Sequence, residues 1–249
     1  MKKIAVLTAL LFAALQIGYA QKVGLVLSGG GAKGAAHIGV IKALEENGIP
    51  IDYITGTSAG AIVGSLYAMG YTPEEMVELM LSEEFSYWQT GTVENEYKYY
   101  FKRPDPTPEF GHFSIDMTDS LQVKASFLPQ SLINPIQMNQ AFMALFSQAT
   151  AKAGWNFDNL FVPFRCVASD IYSKKAIIFK NGDLGDAVRA SMTFPFFFQP
   201  IWKDSVPIFD GGIYDNFPVG PMKEAFHPDF IFGSTVAGGN NKPSSNPYN

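Results

Sequence analysis

The alternation of apolar and polar positions predicts that the chain opens with a strand, a helix, a second strand and a second helix. Residues 23–27 form a continuous apolar run, which is typical of a strand buried on both faces. A helical stripe follows over 35–46, with apolar side chains at Ile38, Ile41, Ala43 and Leu44. The apolar positions Ile51, Tyr53 and Ile54 and the alanine-rich stretch 59–69 repeat this order. Two strand–helix units in succession indicate neighbouring strands of a parallel sheet.

Further along, the same signals predict a third helix and a second set of strands. Thr72, Pro73 and Glu75 form a capping box that begins a helix over 73–84. The later predicted elements are a helix at 139–152, strands at 162–168 and 176–179, a short helix at 186–192, and strands at 206–209 and 230–232. All of these elements fall within 21–238 and no internal repeat is present, so we expect one α/β domain.

The first twenty residues have the pattern of a Sec-type signal peptide. Lys2 and Lys3 precede an apolar run over 4–15, and Gly18 and Ala20 are small residues where a signal peptidase would cleave. The alternative is an uncleaved membrane anchor, for which the apolar run is short. We therefore expect export, with a periplasmic, outer-membrane-associated or secreted location. At the other end, 239–249 has the composition of a flexible tail or the start of a linker.

Composition narrows the classes of function. The chain has 249 residues and a net charge of −5, without a basic patch interleaved with aromatic residues, so we expect no nucleic-acid partner. Cys166 is the single cysteine, which rules out an internal disulfide, and its apolar surroundings predict a buried side chain. No His/Cys cluster has metal-ligand spacing, so we expect neither a metal nor another cofactor.

The stretch from Gly56 to Gly60 is the first candidate for chemistry. Its sequence, Gly-Thr-Ser-Ala-Gly, has the form G-x-S-x-G between a predicted strand and a predicted helix, which is the context of a nucleophile elbow centred on Ser58. On such a turn the positions two before and two after the serine must be small, and the helix directs N–H groups towards developing negative charge. The alternative is an ordinary strand–helix turn with a helix-capping serine.

A glycine-rich loop at the first strand–helix junction has two interpretations. Gly29, Gly31 and Gly34 satisfy G-x-G-x-x-G, the dinucleotide-binding pattern, and Asp52 lies about the right distance downstream. Asp52 starts the second strand, however, whereas the ribose-binding acid belongs at the carboxyl end of that strand. We prefer the second hypothesis, in which N–H groups of Gly29, Gly30 and Gly31 form an oxyanion hole beside the elbow serine.

A serine nucleophile needs a group that accepts its proton. Of the three histidines, His37 lies inside the first helix, His112 in an irregular middle segment, and His227 before the last strand, at the end away from the expected site. Asp210 is the better candidate, because it ends an apolar run and is followed by two glycines that let the backbone approach closely. The alternative is a common Asp-Gly turn.

Residues 85–108 are rich in aromatic side chains and break up at three prolines. The aromatic residues are Phe85, Tyr87, Trp88, Tyr97, Tyr99, Tyr100 and Phe101. They either pack around irregular structure or form a cap over the site that offers apolar surface to acyl chains. For the segment as a whole we favour the cap.

Three motifs, in order, carry a resemblance to a known family. Gly29 to Gly34, Gly56 to Gly60, and the Asp-Gly-Gly sequence at 210–212 resemble the motifs of patatin-like phospholipases. Segments at 35–40, 189–195 and 215–218 also resemble bacterial members, so the resemblance spans nearly all of 22–236. It implies a patatin-like fold, a three-layer α/β/α sandwich with a mostly parallel central sheet.

The resemblance implies a lipid acyl hydrolase with a Ser-Asp dyad in place of a triad. Ser58 matches the nucleophile, Asp210 the base, and Gly29 to Gly31 the oxyanion-hole loop, with an acyl-enzyme that water then cleaves. The partner would be a lipid or a membrane-surface substrate. Some exported relatives continue into an outer-membrane barrel, which would be a further domain if this chain is a fragment. The alternatives are a non-catalytic lipid-binding domain, a short-chain esterase and an acyltransferase.

Overall fold

The computed structural model describes residues 21–92, 112–116, 122–126 and 132–238. The predicted signal peptide at 1–20, the part of the aromatic segment at 93–108 and the tail at 239–249 lie outside these residues, so the predictions made for them stay predictions. In the described part of the chain, no helix has both the length and the apolar character needed to cross a membrane.

A seven-stranded sheet forms the centre of the described domain. Its strands are β1 (Val23–Leu27), β2 (Tyr53–Thr57), β5 (Phe164–Asp170), β6 (Lys175–Phe179), β7 (Ile201–Lys203), β8 (Val206–Asp210) and β9 (Phe230–Ser234), while β3 (His112–Asp116) and β4 (Gln122–Ser126) form a separate antiparallel pair. Strands β9, β1, β2 and β5 are parallel neighbours. Because β8 is antiparallel to β5 and β7 is antiparallel to β8, five of the seven strands point the same way. The mostly parallel sheet is confirmed, with β6 and β8 reversed and the short β7 not predicted.

Helices cover both faces of this sheet, as the predicted three-layer sandwich requires. They are α1 (Ala36–Glu46), α2 (Ala59–Ala68), α3 (Pro73–Leu81), α4 (Glu83–Thr90), α5 (Ile136–Lys152), α6 (Leu184–Ser191) and α7 (Val219–Phe226). On one face, Gly64 of α2 lies against Ile54 of β2. On the other face, Phe226 of α7 stacks on Tyr53, with ring centroids 4.7 Å apart. Because neighbouring residues of a strand point to opposite faces, α2 and α7 cover opposite sides of the sheet.

The main hydrophobic core fills the space between the sheet and helices α1, α2, α5 and α6. Its fully buried side chains come from all of these elements and include Leu27, Ile41, Leu66, Phe146 and Leu184. All five residues of β1 are buried, as the continuous apolar run predicts. The buried stripe of α1 consists of His37, Ile38, Ile41 and Leu44, so the assignment of Ala43 to that stripe was wrong.

Helix boundaries differ from the predictions mainly around Ser82. The capping box is present, because the Thr72 side chain accepts from the Glu75 N–H and the Glu75 carboxylate accepts from the Thr72 N–H. The helix that begins there ends one residue before Ser82, which has an extended conformation. The Ser82 hydroxyl accepts from the Phe85 N–H and thereby begins α4. A second helix, which was not predicted, therefore forms the start of the aromatic segment.

Strand β5 brings together two strand ends that are far apart in the sequence. Strand β2 pairs with the first half of β5, up to Thr57 opposite Val167. Strand β8 runs in the opposite direction along the second half and ends with Asp210 opposite Ala168. Since β6 pairs with both halves, β2 and β8 share the other edge of β5. Their carboxyl ends thus meet head to head, at consecutive residues of β5.

Candidate active site

Ser58 occupies the sharp turn between β2 and α2, in a conformation that residues other than glycine rarely adopt. Its φ of 54° and ψ of −120° are held in place by surrounding contacts. A Cβ atom on Gly56 would collide with the Gly60 carbonyl, and a Cβ atom on Gly60 would collide with the Leu27 carbonyl. Close backbone contacts therefore require small residues at both positions, which is the arrangement of a nucleophile elbow.

The Ser58 hydroxyl points at the Asp210 carboxylate. Ser58 Oγ donates to Asp210 Oδ2 over 2.6 Å, although the two residues are 152 positions apart. The second carboxylate oxygen, Oδ1, accepts from the Gly212 N–H at 2.7 Å, and the Asp210 N–H donates to the Thr193 carbonyl at 2.8 Å. Asp210 is 6% exposed. The structure thus brings the two candidate catalytic residues together and fixes the carboxylate through both of its oxygens.

Burial sets the protonation behaviour of this carboxylate. Removal from water raises the pKa of Asp210 above its ordinary value, because an apolar environment disfavours the charged form. The hydrogen bonds from Ser58 and Gly212 act in the opposite direction and offset only part of this effect. A carboxylate with a raised pKa accepts a proton more readily than an exposed aspartate does, which suits a general base.

The glycine loop at 29–31 lies directly beside the serine. A Cβ atom on Gly29 would come within 3.0 Å of Ser58 Cβ, and all three glycines line the same cavity as Ser58. The Gly29 N–H donates to the Asn216 carbonyl at 3.2 Å, so this N–H is already occupied. Among the described residues, no protein group accepts from the N–H groups of Gly30 and Gly31. The sequence predicted that the N–H groups of all three glycines form the oxyanion hole, whereas in the structure those of Gly30 and Gly31 are available to a ligand and that of Gly29 is not.

Two polar residues to which the sequence assigned no role hold this arrangement together. Ser191, at the end of α6, accepts from the Ser58 N–H at 2.9 Å and donates to the Val167 carbonyl at 2.6 Å. Asn216 accepts from the Gly29 N–H through its carbonyl, and its side chain lies against the same glycine. Both lie in segments that resemble bacterial family members, and that resemblance was the available signal.

His37 and His227 both lie away from the Ser58 hydroxyl, as expected. His37 is buried, with Nδ1 2.7 Å from Ser234 Oγ and Nε2 2.9 Å from the Ser28 carbonyl, so both ring nitrogens are engaged. Burial lowers the pKa of His37, which favours its neutral form. His227 ends α7 ahead of β9, at the amino end of the parallel strands. His112 begins β3, in a stretch that was predicted to be irregular.

Asp52 lies at the opposite end of the sheet from Ser58. Its carboxylate accepts from Lys22 Nζ at 2.7 Å and from the Val23 N–H at 2.8 Å, at the start of β1. This position agrees with rejecting the dinucleotide hypothesis. Cys166 is fully buried in β5, as predicted, and burial raises the pKa of its thiol.

A largely apolar cavity of about 960 Å³ adjoins the Ser58–Asp210 pair. Its lining includes Ile62, Met80, Met138, Phe142 and Phe198. Among the described residues of the lining, Asp210 is the one ionisable side chain. Phe85 and Trp88 also line the cavity, so the described part of the aromatic segment supplies apolar surface to the site.

The family model for patatin-like phospholipases matches residues 25–223. The chain belongs to this family. Lysophospholipase NTE1 of Pyricularia oryzae is 31% identical to it over 217 residues, which cover 87% of this chain and 12% of that protein. The patatin-like phospholipase domain-containing protein ZK370.4 of Caenorhabditis elegans is 29% identical over 203 residues, which cover 81% of this chain and 12% of that protein. The chain thus spans a small fraction of the length of these two relatives. Among solved structures, VipD from Legionella pneumophila aligns over 80% of this chain and 47% of its own, with a TM-score of 0.49 and 17% identity.

Proposed function

We propose that the chain hydrolyses acyl esters of lipids, with Ser58 as the nucleophile and Asp210 as its base. The observation that carries this proposal is the 2.6 Å hydrogen bond from Ser58 Oγ to Asp210 Oδ2, in the lining of an apolar cavity. Family membership supports the same reaction, and the names of the fungal relatives support a phospholipid or lysophospholipid as the substrate class.

The mechanism begins when Asp210 Oδ2 takes the hydroxyl proton and Ser58 Oγ bonds to the acyl carbon. The electrons of the carbonyl double bond move to its oxygen, and the N–H groups of Gly30 and Gly31 stabilise this oxyanion. The tetrahedral intermediate then breaks its bond to the alcohol oxygen, and the alcohol leaves with the proton from Asp210. In the second half, Asp210 takes a proton from a water molecule, whose oxygen bonds to the acyl carbon. The bond from that carbon to Ser58 Oγ then breaks, Ser58 Oγ regains its proton from Asp210, and the carboxylic acid leaves.

The cavity supports a fatty acyl chain as the group that binds beside Ser58. Its volume of about 960 Å³ lies at the upper end of the range of about 300–1,000 Å³ found for ligand pockets. Burial of hydrocarbon against its aliphatic and aromatic lining is favourable because apolar surface is removed from water, whereas a polar head group would find few hydrogen-bond partners there. The acyl part of the substrate therefore lies in the cavity, with its carbonyl oxygen beside the glycine loop.

Hydrolysis of a fluorogenic acyl ester and of a phospholipid tests the proposal. We expect Ser58→Ala and Asp210→Asn each to lower kcat on the order of 10⁴-fold, because each removes a member of the reacting pair. The matched controls are Ser86→Ala, on the exposed side of α4, and Asp204→Asn, in the exposed turn before β8, where asparagine tolerates the φ of 49°.

Both controls should keep the parent activity, and all four variants should keep the parent circular dichroism. Hydrolysis that survives Ser58→Ala would contradict the mechanism. A folded parent that binds lipid but is not labelled at Ser58 by a fluorophosphonate would favour the non-catalytic hypothesis.

A further inference from the structure

The loop that follows α6 exposes three phenylalanine rings beside the cavity. Phe194, Phe196 and Phe197 are 56%, 72% and 44% exposed. The rings of Phe194 and Phe197 meet edge to face, with centroids 5.6 Å apart, and both line the cavity. The Phe196 ring is not part of the lining and is the most exposed of the three. Large apolar side chains grouped on a surface beside a cavity indicate contact with another molecule.

The backbone of this loop is strained, and hydrogen bonds from a neighbouring segment hold it in place. Phe196 has a φ of 69°, which is rare for a bulky residue. The carbonyls of Phe196 and Phe197 accept from the N–H groups of Leu132 and Ile133, at 2.9 Å each. Strain of this kind persists only where other contacts maintain it, so the fold itself holds the Phe196 ring in solvent.

Arg189 holds the same loop from inside. It is 3% exposed, and its guanidinium donates to Asn139 Oδ1, to Thr193 Oγ1 and to the Gln199 carbonyl. Thr193 and Gln199 stand on either side of the three phenylalanines. Both ends of the loop are therefore tied to one buried group, and the rings are displayed on a rigid support.

The end of α3 adds a second apolar tip to the same cavity. Leu81 is 81% exposed and lines the cavity. Glu78, Glu83 and Glu84 lie within three residues of Leu81 and are exposed, whereas Glu74, at the start of α3, is paired with Lys42 at 2.8 Å. Exposed charges act over about 10 Å at 0.1 M salt, so these three carboxylates repel an anionic surface that approaches Leu81.

We propose that Phe194, Phe196, Phe197 and Leu81 form a docking surface for a lipid bilayer with zwitterionic head groups. The inference rests on the proposed function and adds to it the surface on which that function is carried out. The apolar tips enter the boundary between head groups and acyl chains, and the cavity then opens towards the lipid. A bilayer fits better than a protein partner because the docking surface is continuous with the cavity that receives the acyl chain. An uncharged surface fits better than an anionic one because of the glutamates around Leu81.

Flotation with large unilamellar vesicles of phosphatidylcholine measures docking without turnover when the full chain carries Ser58→Ala. In this background we expect Phe196→Asn to weaken binding roughly tenfold, since one largely exposed ring no longer enters the lipid. Asparagine tolerates positive φ, so the loop keeps its conformation. Phe196→Trp should restore binding. The matched control is Phe161→Asn, because Phe161 is 75% exposed but precedes β5, at the end of the sheet opposite Ser58, and its loss should leave binding unchanged.

Vesicles of phosphatidylcholine mixed with phosphatidylglycerol should bind more weakly than phosphatidylcholine alone. The docking surface would be overturned by an absence of binding to phosphatidylcholine, by an equal loss in Phe161→Asn, or by tighter binding to the anionic vesicles. A parent that sediments as a dimer and a Phe196→Asn variant that sediments as a monomer would also overturn it, by assigning the surface to a second copy of the chain. Failure of the proposed function shows separately, as ester hydrolysis that survives Ser58→Ala.

Discussion

Ser191→Ala tests whether the strained turn at Ser58 depends on one neighbouring side chain. The Ser191 hydroxyl is fully buried, accepts from the Ser58 N–H and donates to the Val167 carbonyl. Alanine leaves the Ser58 N–H without a partner, which costs about 1–3 kcal/mol, and the second lost bond adds about 1 kcal/mol. The expected loss in the free energy of unfolding is therefore about 2–4 kcal/mol. Because the turn can then relax, kcat for ester hydrolysis should fall roughly 10²-fold as Ser58 Oγ leaves its position.

Ser65→Ala is the matched control for this substitution. Ser65 is also fully buried, but its hydroxyl donates to the Ile62 carbonyl within α2, which already accepts a helical N–H. Its loss should cost less than about 1 kcal/mol. Urea unfolding followed by circular dichroism measures both variants, provided that their m-values equal that of the parent. If Ser191→Ala destabilises the fold no more than Ser65→Ala does, the dependence of the turn on Ser191 is refuted.

Two further predictions concern the glycines and the titration of Asp210. Gly60→Ala should prevent folding or abolish activity, because its Cβ meets the Leu27 carbonyl. A Cβ on Gly39 in α1 meets nothing within 4 Å, so Gly39→Ala should raise the free energy of unfolding by about 0.5–1 kcal/mol. Thermal unfolding compares the two variants, and equal effects would refute the contact argument. Because burial raises the pKa of Asp210, the fall of kcat/KM with decreasing pH should begin at a higher pH than for an aspartate of ordinary pKa. Ionisation of Asp210 should also lower the free energy of unfolding as pH rises through this raised pKa. The stability of Asp210→Asn relative to the parent should therefore improve from acidic to neutral pH in urea unfolding; an unchanged difference would contradict the raised pKa.

The hydrophobic pattern predicted the existence of most elements because it reports burial, but it could not predict strand direction. The apolar run at 206–209 has the same appearance in a parallel or an antiparallel strand, and β8 proved to be antiparallel to β5. The end of α3 at Ser82 was missed for a related reason. Serine is tolerated inside helices, and its extended conformation here depends on the hydroxyl bond that begins α4.

At the site, local motifs were visible in the sequence and their supports were not. The close contacts of Gly56 and Gly60 with neighbouring backbone follow from the G-x-S-x-G pattern alone. Ser191 meets Ser58 across 133 positions of sequence, and Asn216 meets Gly29 across 187, so the resemblance pointed to their segments but these contacts are seen in the fold. The occupied Gly29 N–H is a further result of this long-range packing.

The head-to-head meeting of β2 and β8 means that the pairing register of β5 fixes the distance between Ser58 and Asp210. The ends of the two strands are held at consecutive residues, Val167 and Ala168, so one backbone step sets the spacing between them. Slippage of β8 by one residue would move the carboxylate about 3.3 Å and turn it to the other face of the sheet. Changes in the length of the segments that connect β2 to β5, or β6 to β8, leave this pairing register untouched. Substrate preference can therefore diverge through those segments while Ser58 and Asp210 keep their distance.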